Sequence, residues 1–448
     1  MSRVNPKSRV IALLLGIVIV GVFEALLRLA PGLASAPLLI EVEGEHGETL
    51  RDLNPEFPRR FFVGSPAESF LDRLGLASQP HLEVPEPGNF RVVLVGGSTA
   101  KGYPHPPHTT AAAHLQRILQ EAWPRSNVEV LNAGIVAIAS FAVARTLEEA
   151  MALRPDTVVI YSGHNEFYGV YGASSLRQGG SSIELKLVHY TLMQMRIATL
   201  ARSVIGALRP DSELPDPREP DSLLEVMASA GPIAPDDTRR ELARQNLHQN
   251  LTGMVTHCRS EEVPVVLCTL VSNDTGFEPD SDSRFVDLAD DDRGTWDEHL
   301  ARAHSLLSRA GIADRDASQA LRHLNQAADI FDGFAFLHFL KGRALAILKE
   351  DAQAQVAFVR ARDLDTTPWR APSAHNQTIR QVAAAEDVLL ADVEAAFERE
   401  SPPSGVGTDL MYDHLHPSRS GQVLLAQAIA RPLLGSVVPV RSSAVAAR

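Results

Sequence analysis

A serine and a histidine at opposite ends of this 448-residue chain have the residue types and surroundings that nucleophilic catalysis requires. Ser98 follows an apolar run and has glycines on both sides, which predicts a turn at the carboxyl end of a buried strand. A serine hydroxyl is a weak nucleophile until a base removes its proton, and an acid must orient that base. Asp413 stands three residues before His416, so its carboxylate can hold Nδ1–H while Nε2 faces a nucleophile. The predicted catalytic residues are Ser98, Asp413 and His416, and His414 is expected to point elsewhere.

Two other segments offer hydrogen-bond donors for the oxyanion that forms when an acyl carbon is attacked. They are Asn132-Ala-Gly134 and Gly163-His-Asn165-Glu166, and each follows an apolar strand pattern. Because the carboxyl ends of parallel strands meet at one edge of a sheet, both segments are expected at the same edge as Ser98.

The glycines around Ser98 also have other interpretations. Gly97 and Gly102 have the spacing of a phosphate-binding loop, but Tyr103 stands where that loop requires a lysine, and the dinucleotide pattern G-x-G-x-x-G is missing. Taken singly, a serine or asparagine after a strand is also an ordinary turn residue, and Asp413–Ser418 is also typical of a helix start. The hydrolytic interpretation depends on all these segments occurring together.

Apolar runs predict a parallel sheet with helical crossovers from Phe90 onward. The predicted strands are Val92–Val95, Val128–Leu131, Thr157–Tyr161, Val263–Leu270 and Val388–Val393. The preceding residues, 37–90, are Pro-rich and weakly periodic, and Asn54–Phe62 among them is expected to be exposed. We assign this lead-in segment no chemistry.

Two long insertions interrupt the strand pattern. The first, about Tyr168–Asp237, holds one predicted helix, Ile183–Leu208, and a loop rich in Pro, Asp and Glu at Arg209–Arg218, which fits a lid or a substrate-binding embellishment. The second has the thirty-four-residue period of tetratricopeptide repeats, in which small residues allow helices to cross closely, although a plain helical hairpin remains an alternative. Its repeated positions are Ala320, Leu324 and Ala327, then Ala354, Phe358 and Ala361, with Gly342 preceding the second set.

Four blocks in this order resemble those of the SGNH/GDSL hydrolases, and the resemblance covers about residues 90–167 and 235–435. The blocks are Gly-Gly-Ser98-Thr, Asn-Ala-Gly134, Gly-His-Asn165-Glu and Asp413-His-Leu-His416. Two residues depart from the family pattern: Gly97 stands where an aspartate often precedes the serine, and Glu166 replaces the usual aspartate. Neither departure removes a group that touches the reacting carbonyl.

The resemblance implies an α/β fold, a flavodoxin-like three-layer sandwich with five parallel strands. It also implies that Ser98 is the nucleophile, His416 the general base and Asp413 its orienting acid. The implied oxyanion donors are the N–H groups of Ser98 and Gly134 and the side chain of Asn165. Together with the inserted repeats, Gly-His-Asn165-Glu-Phe-Tyr and a Pro-rich stretch after Gly102 resemble a membrane-tethered bacterial subgroup that carries tetratricopeptide insertions.

The amino terminus has the pattern of a membrane anchor. Basic residues precede the apolar run Val10–Phe23, and pairing of Glu24 with Arg28 extends the predicted helix through Ala30 to roughly 21 residues, enough to span a bilayer. The positive-inside rule then keeps the basic end in the cytoplasm and exports the residues after the helix. With the bacterial subgroup that the sequence resembles, this implies a single-pass protein of the bacterial inner membrane with a periplasmic catalytic domain. A signal peptide cleaved near Ala34-Ser35-Ala36 and a buried soluble helix remain alternatives.

Composition excludes several classes of function. The formal net charge of −13 argues against nucleic acid as a partner. Two cysteines, Cys258 and Cys268, provide neither a disulfide scaffold nor a zinc module. His105, His108 and His114 are separated by prolines and a helix start, so no metal or other cofactor is predicted.

The sequence therefore predicts a serine esterase or acylhydrolase that cleaves an O-acyl or O-acetyl ester of a lipid or cell-envelope glycan through an acyl-enzyme on Ser98. An O-acyltransferase with the same residues remains an alternative, as does a scaffold whose repeats bind a protein partner beside an inactive core. The predicted segments are the anchor at 1–36, the lead-in at 37–89, the hydrolase core at 90–292 with a lid at 168–237, the helical insertion at 293–370, the rest of the core at 371–435 and a tail at 436–448.

Overall fold

The structure, a computed structural model, describes residues 6–29, 32–62, 75–174, 182–208, 231–309 and 311–436. The strands are β1 (Leu39–Glu43), β2 (Thr49–Leu53), β3 (Asn89–Gly96), β4 (Asn127–Asn132), β5 (Thr157–Tyr161), β6 (Val265–Cys268) and β7 (Leu389–Ala391). The helices are α1 (Pro6–Leu27), α2 (Ser98–Lys101), α3 (Ala111–Ala122), α4 (Ser140–Ala150), α5 (Ile183–Gln194), α6 (Arg196–Leu208), α7 (Thr238–Ser260), α8 (Asp290–Leu307), α9 (Asp314–Ile330), α10 (Ala335–Ile347), α11 (Asp351–Leu364), α12 (Ser373–Ala385), α13 (Val393–Glu400) and α14 (Arg419–Ser436).

A five-stranded parallel sheet forms the centre of the fold, which confirms the predicted α/β class. The strand order is β4-β3-β5-β6-β7, the order of flavodoxin-like sheets. β5 is buried at every residue and β3 at all but its first, as expected for apolar parallel strands that are covered on both faces. β6 and β7 are shorter than the runs predicted for them.

The direction of the crossovers places helices on both faces of the sheet. The chain moves outward from β3 to β4 through α3, then reverses past β3 to reach β5 through α4. Because parallel crossovers are right-handed, this reversal puts α3 and α4 on opposite faces. α14 packs against α3, whereas α7 packs against both α4 and α12. In flavodoxin-like sheets the crevice for ligands lies outside the carboxyl ends of β3 and β5, where the chain direction switches.

The lead-in segment packs against the core, so the expectation that Asn54–Phe62 is exposed is wrong. β1 and β2 form an antiparallel hairpin, and Phe57 and Phe61 are 0% and 1% exposed. Arg60 pairs with Glu149 of α4 and places its guanidinium 4.3 Å from the centroid of the Phe57 ring. Arg60 of the lead-in segment is thus held by the core.

The second insertion forms α8 to α11, in which each helix packs against the next. The alanines of the repeat register are buried at the contacts, with Ala320 and Ala354 both 0% exposed. A Cβ atom at Gly342 would come within 2.8 Å of the Phe358 ring, so a glycine permits the close contact of α10 with α11. The tetratricopeptide assignment stays a prediction, whereas helices with small residues at their contacts are observed.

The predicted helix Ile183–Leu208 is divided into two helices: α5 ends at Gln194 and α6 begins at Arg196. The carboxylate of Glu24 in α1 accepts hydrogen bonds from the N–H groups of Arg196 and Ile197, both at 3.1 Å, so α1 packs at the start of α6. The predicted loop Arg209–Arg218 lies outside the described residues.

Among the helices of the described ranges, none is both long and apolar enough to cross a membrane. The anchor stays a prediction, since residues 1–5 and the side chains of residues 6–13 lie outside what the structure describes.

Candidate active site

Ser98 lies at the turn that leaves β3, at the edge of the sheet where the chain direction switches. Gly97 is extended, with φ −84° and ψ −158°, and Ser98 then starts the single-turn helix α2. The helix ends at Gly102, whose φ of +89° favours glycine. As the first residue of a helix, Ser98 has a backbone N–H without an intrahelical acceptor.

Asp413 and His416 lie in a closed loop before α14. The N–H of Tyr412 donates to the carbonyl of His416 at 2.8 Å, and Met411 pairs with Pro417. Within this loop, Oδ2 of Asp413 is 2.7 Å from Nδ1 of His416. Oδ1 accepts the N–H groups of Leu415 and His416 at 2.9 and 2.8 Å. The spacing of three residues therefore lets one carboxylate fix both the imidazole and the loop that carries it.

Asp413 is held in its ionised form. Burial opposes ionisation, but the attraction of His416, its hydrogen bond and the two N–H donors outweigh burial and lower the pKa of Asp413 to about 2. A carboxylate that stays charged at neutral pH keeps the Nδ1 proton of His416 in place, which leaves Nε2 as an acceptor.

The structure brings Ser98 to His416 although 318 positions separate them in the chain. Nε2 of His416 is 2.7 Å from Oγ of Ser98, and both residues are buried. The Tyr103 ring packs edge-on against the His416 ring, with 5.0 Å between centroids, and helps to hold the imidazole. Asp413, His416 and Ser98 thus form one continuous hydrogen-bonded series that can move a proton away from Oγ.

Asn165 follows β5 and lies beside this serine. Its neighbours from Tyr161 to Gly169 are buried, whereas Asn165 itself is partly exposed. Its Nδ2 donates to the carbonyl of Ile138 at 3.2 Å and would be 2.9 Å from a Cβ atom at Gly97. Gly97 therefore leaves room for the Asn165 amide. One N–H of this amide bonds to Ile138, and the second can donate to a substrate bound beside Oγ of Ser98.

Glu166, the departure from the family pattern, has a structural role here. Its carboxylate accepts the N–H and the hydroxyl of Ser140 at the start of α4, both at 2.8 Å. Nδ2 of Asn250 donates to the same hydroxyl at 2.8 Å. Burial raises the pKa of Glu166, and these donors oppose that effect. The network ties the Asn165 segment to α4 and α7.

The N–H of Gly134, the second oxyanion donor that the resemblance implied, already has an acceptor within the protein. That N–H donates to Oδ1 of Asn132 at 3.0 Å. The Cα of Gly134 packs under the backbone of Lys101, and a Cβ atom there would come within 2.5 Å of the backbone nitrogen of Lys101. The glycine is required for close packing of the segment after β4 beneath α2. The role of the Gly134 N–H as an oxyanion donor stays a prediction, and Oδ1 of Asn132 competes with a substrate for this N–H.

Ala137, three residues after Gly134, has a backbone N–H that the sequence analysis did not single out as a candidate donor. The φ of Ala137 is +61°, and the residue forms with Val136 a small apolar cluster against which Tyr103 packs. The carbonyl of the next residue, Ile138, accepts a hydrogen bond from the Asn165 amide. Within the described part of the chain, the Ala137 N–H has no hydrogen-bond acceptor. The residue type could not have predicted this conformation, because a left-handed backbone is unusual for alanine.

Three other histidines near this edge of the sheet are engaged elsewhere. His164 and His375 each contact a backbone carbonyl at 3.0 Å, and burial lowers the pKa of each to about 4. His414 packs against the Phe277 ring, 4.5 Å between centroids, so it points away from Ser98. His416 is therefore the imidazole placed to take a proton from the serine.

Replacing Asn165 with alanine is expected to lower kcat about 10²- to 10³-fold with little change in KM, because an oxyanion donor acts mainly on charge that develops in the transition state. Steady-state kinetics on a nitrophenyl ester measure the effect. The matched control is Asn250→Ala, which removes a buried amide that bonds to Ser140 and not to the reacting groups, and it is expected to stay much closer to wild-type kcat. Wild-type kcat in Asn165→Ala would contradict the role.

Comparison with known proteins does not extend this description. No family profile and no curated protein matches the sequence. Among solved structures, the lipase/acylhydrolase from Enterococcus faecalis is 16% identical, and the alignment covers 78% of this chain and 98% of that chain with a TM-score of 0.34. An acetyl xylan esterase from Geobacillus stearothermophilus is 14% identical, with 78% and 97% covered and a TM-score of 0.34. Such similarity assigns neither a family nor an activity, so the function must be argued from the site.

Proposed function

We propose that this protein is a serine ester hydrolase of the SGNH/GDSL type that works through an acyl-enzyme on Ser98. One observation carries the proposal: Oγ of Ser98, Nε2 of His416 and the carboxylate of Asp413 stand in hydrogen-bonded series, with 2.7 Å at each step. The order of the sequence blocks around Ser98, Asn165 and His416 supports the family assignment.

In the first half-reaction, His416 takes the hydroxyl proton on Nε2 while Oγ of Ser98 bonds to the acyl carbon. The electron pair of the carbonyl moves onto its oxygen, which the N–H of Ser98 and the amide of Asn165 stabilise. We add to the predicted N–H of Gly134 a further candidate donor, the N–H of Ala137, which has no acceptor among the described residues. The imidazolium then protonates the leaving alcohol as the ester bond breaks.

In the second half-reaction, water attacks the acyl-enzyme while Nε2 of His416 again accepts the proton. Collapse of the tetrahedral intermediate returns that proton to Oγ of Ser98 and releases the carboxylic acid. Asp413 stays ionised throughout and stabilises the imidazolium formed in both halves, as its pKa of about 2 requires.

The proposed substrate is an O-acyl or O-acetyl ester on a lipid or a cell-envelope glycan, and the proposed location is the bacterial inner membrane with a periplasmic catalytic domain. The basic flank of the apolar run Val10–Phe23 supports that orientation. We also propose that the tetratricopeptide-like helices α8 to α11 bind a protein partner, which the thirty-four-residue register supports.

The test follows the fate of the acyl group. We expect the full chain to release nitrophenolate from p-nitrophenyl acetate and, with an acetylated donor and an oligosaccharide acceptor, to yield free acetate. Acetylated oligosaccharide as the main product would replace the hydrolase with an acyltransferase. Folded protein that yields neither product from short or long acyl esters would overturn the proposal.

A further inference from the structure

Asn273, in the loop after β6, holds the backbone of the loop that carries Asp413 and His416. Its N–H donates to the carbonyl of His414 at 3.0 Å, and its side-chain Nδ2 donates to the carbonyl of Asp413 at 3.2 Å. Asn273 is 0% exposed. One buried residue therefore fixes the carbonyls of two consecutive residues, Asp413 and His414, and the carboxylate of Asp413 orients His416.

The other polar groups of Asn273 are also engaged. Its Oδ1 accepts the N–H of Gly276 at 2.8 Å, and its carbonyl accepts Nη1 of Arg370 at 3.1 Å. Arg370, 1% exposed, is in turn held by Asp365 at 2.8 Å, just after α11. The orientation of the Asn273 amide is thus fixed from both sides, because a rotation would break bonds at Oδ1 and Nδ2 together.

The neighbouring residue strengthens this support. Asp274 pairs with Arg362 of α11 at 3.1 Å, and both side chains are buried. The loop after β6 is therefore anchored in the helical insertion on one side and bonded to the Asp413 loop on the other. Removing one partner of such buried contacts leaves polar groups unsatisfied, so the loop has few alternative positions of similar energy.

We infer that Asn273 is a positioning residue that sets the alignment of Asp413 with His416, and through it the alignment of His416 with Ser98. The inference rests on the proposed function and extends it to a residue that touches neither substrate nor reacting atoms. A displacement of about 1 Å in a catalytic group can cost about 10²-fold in rate, and the bond from Nδ2 to the Asp413 carbonyl opposes such a displacement.

The experiment compares Asn273→Ala with Asn376→Ala in the full chain. Asn376 is a matched control, because this buried asparagine of α12 bonds both backbone groups of Leu270, at 2.6 and 2.8 Å, in the same loop. Both variants are expected to lose stability, which thermal unfolding measures. We expect Asn273→Ala to lower kcat about 10²-fold with KM nearly unchanged. Asn376→Ala is expected to stay near wild-type kcat.

A second readout separates this inference from the proposed function. Proton NMR detects the downfield resonance of the His416 Nδ1 proton, which depends on its bond to Asp413 and not on turnover. We expect that resonance to shift or disappear in Asn273→Ala and to persist in Asn376→Ala. If the two variants behave alike in both kcat and the resonance, the positioning role is wrong. A wild-type protein without esterase activity would refute the proposed function and leave the resonance to test Asn273.

Discussion

The substitution Ser98→Ala is expected to lower kcat/KM for an ester by at least about 10⁴-fold. The variant lacks the oxygen that forms the acyl-enzyme, so the remaining donors stabilise only a slow attack by water. The fold should persist, because alanine suits the first turn of α2 and the lost hydrogen bond to His416 contributes about 1 kcal/mol. Initial rates of nitrophenolate release, together with thermal unfolding, measure both effects.

A suitable control is Ser373→Ala, which removes a hydroxyl that accepts Nη2 of Arg362 at 2.9 Å at the start of α12. This change is expected to lower stability by about 1–2 kcal/mol, because the buried guanidinium of Arg362 loses an acceptor, and to leave kcat/KM near the wild-type value. Esterase activity that is equal in the two variants would show that Ser98 is not the nucleophile.

The second large effect is expected for Asp413→Asn, which should lower kcat about 10⁴-fold. An asparagine oxygen can still accept the N–H groups of Leu415 and His416, so the loop retains its shape. If the amide NH₂ faces Nδ1, the imidazole must carry its proton on Nε2, the wrong tautomer to accept a proton from Ser98. Steady-state kinetics measure the loss, and Asp413→Asn with wild-type kcat would contradict the orienting role.

The lowered pKa of Asp413 makes the difference in stability between the wild type and Asp413→Asn depend on pH. The pKa is about 2 in the folded protein against an ordinary value of 3.8 for aspartate, so the ionised carboxylate contributes stability that is complete above about pH 4. That contribution is lost as pH falls from 4 toward 2. The difference in unfolding free energy between the wild type and Asp413→Asn, measured by urea titration, should therefore narrow from pH 7 to pH 3.

Much of this arrangement follows from local sequence patterns. β3 and β5 are apolar because helices cover both of their faces, so their positions can be read from composition. Ser98 and Asn165 directly follow these strands, and a parallel sheet brings such residues to one edge. The Asp413–His416 spacing is local as well, which explains why the series of three side chains could be predicted.

The features that sequence reasoning missed depend on contacts between distant segments. Phe57 and Phe61 are buried although they lie among prolines and arginines. Phe61 stacks on Tyr190 of α5, which is far away in the chain. The positive φ of Ala137 could not be predicted, because alanine has no preference for left-handed backbone. Asn273 is of a residue type that is common in turns, and its partners Asp413 and His414 lie 140 and 141 positions later.

The most direct test of the central claim is the site at which a fluorophosphonate reacts with the full chain, located by mass spectrometry of the digested protein. The account predicts a single covalent adduct on the peptide that contains Ser98, formed slowly when His416 is replaced by alanine. An adduct on another serine, or unreacted Ser98 in protein shown to be folded, would contradict it.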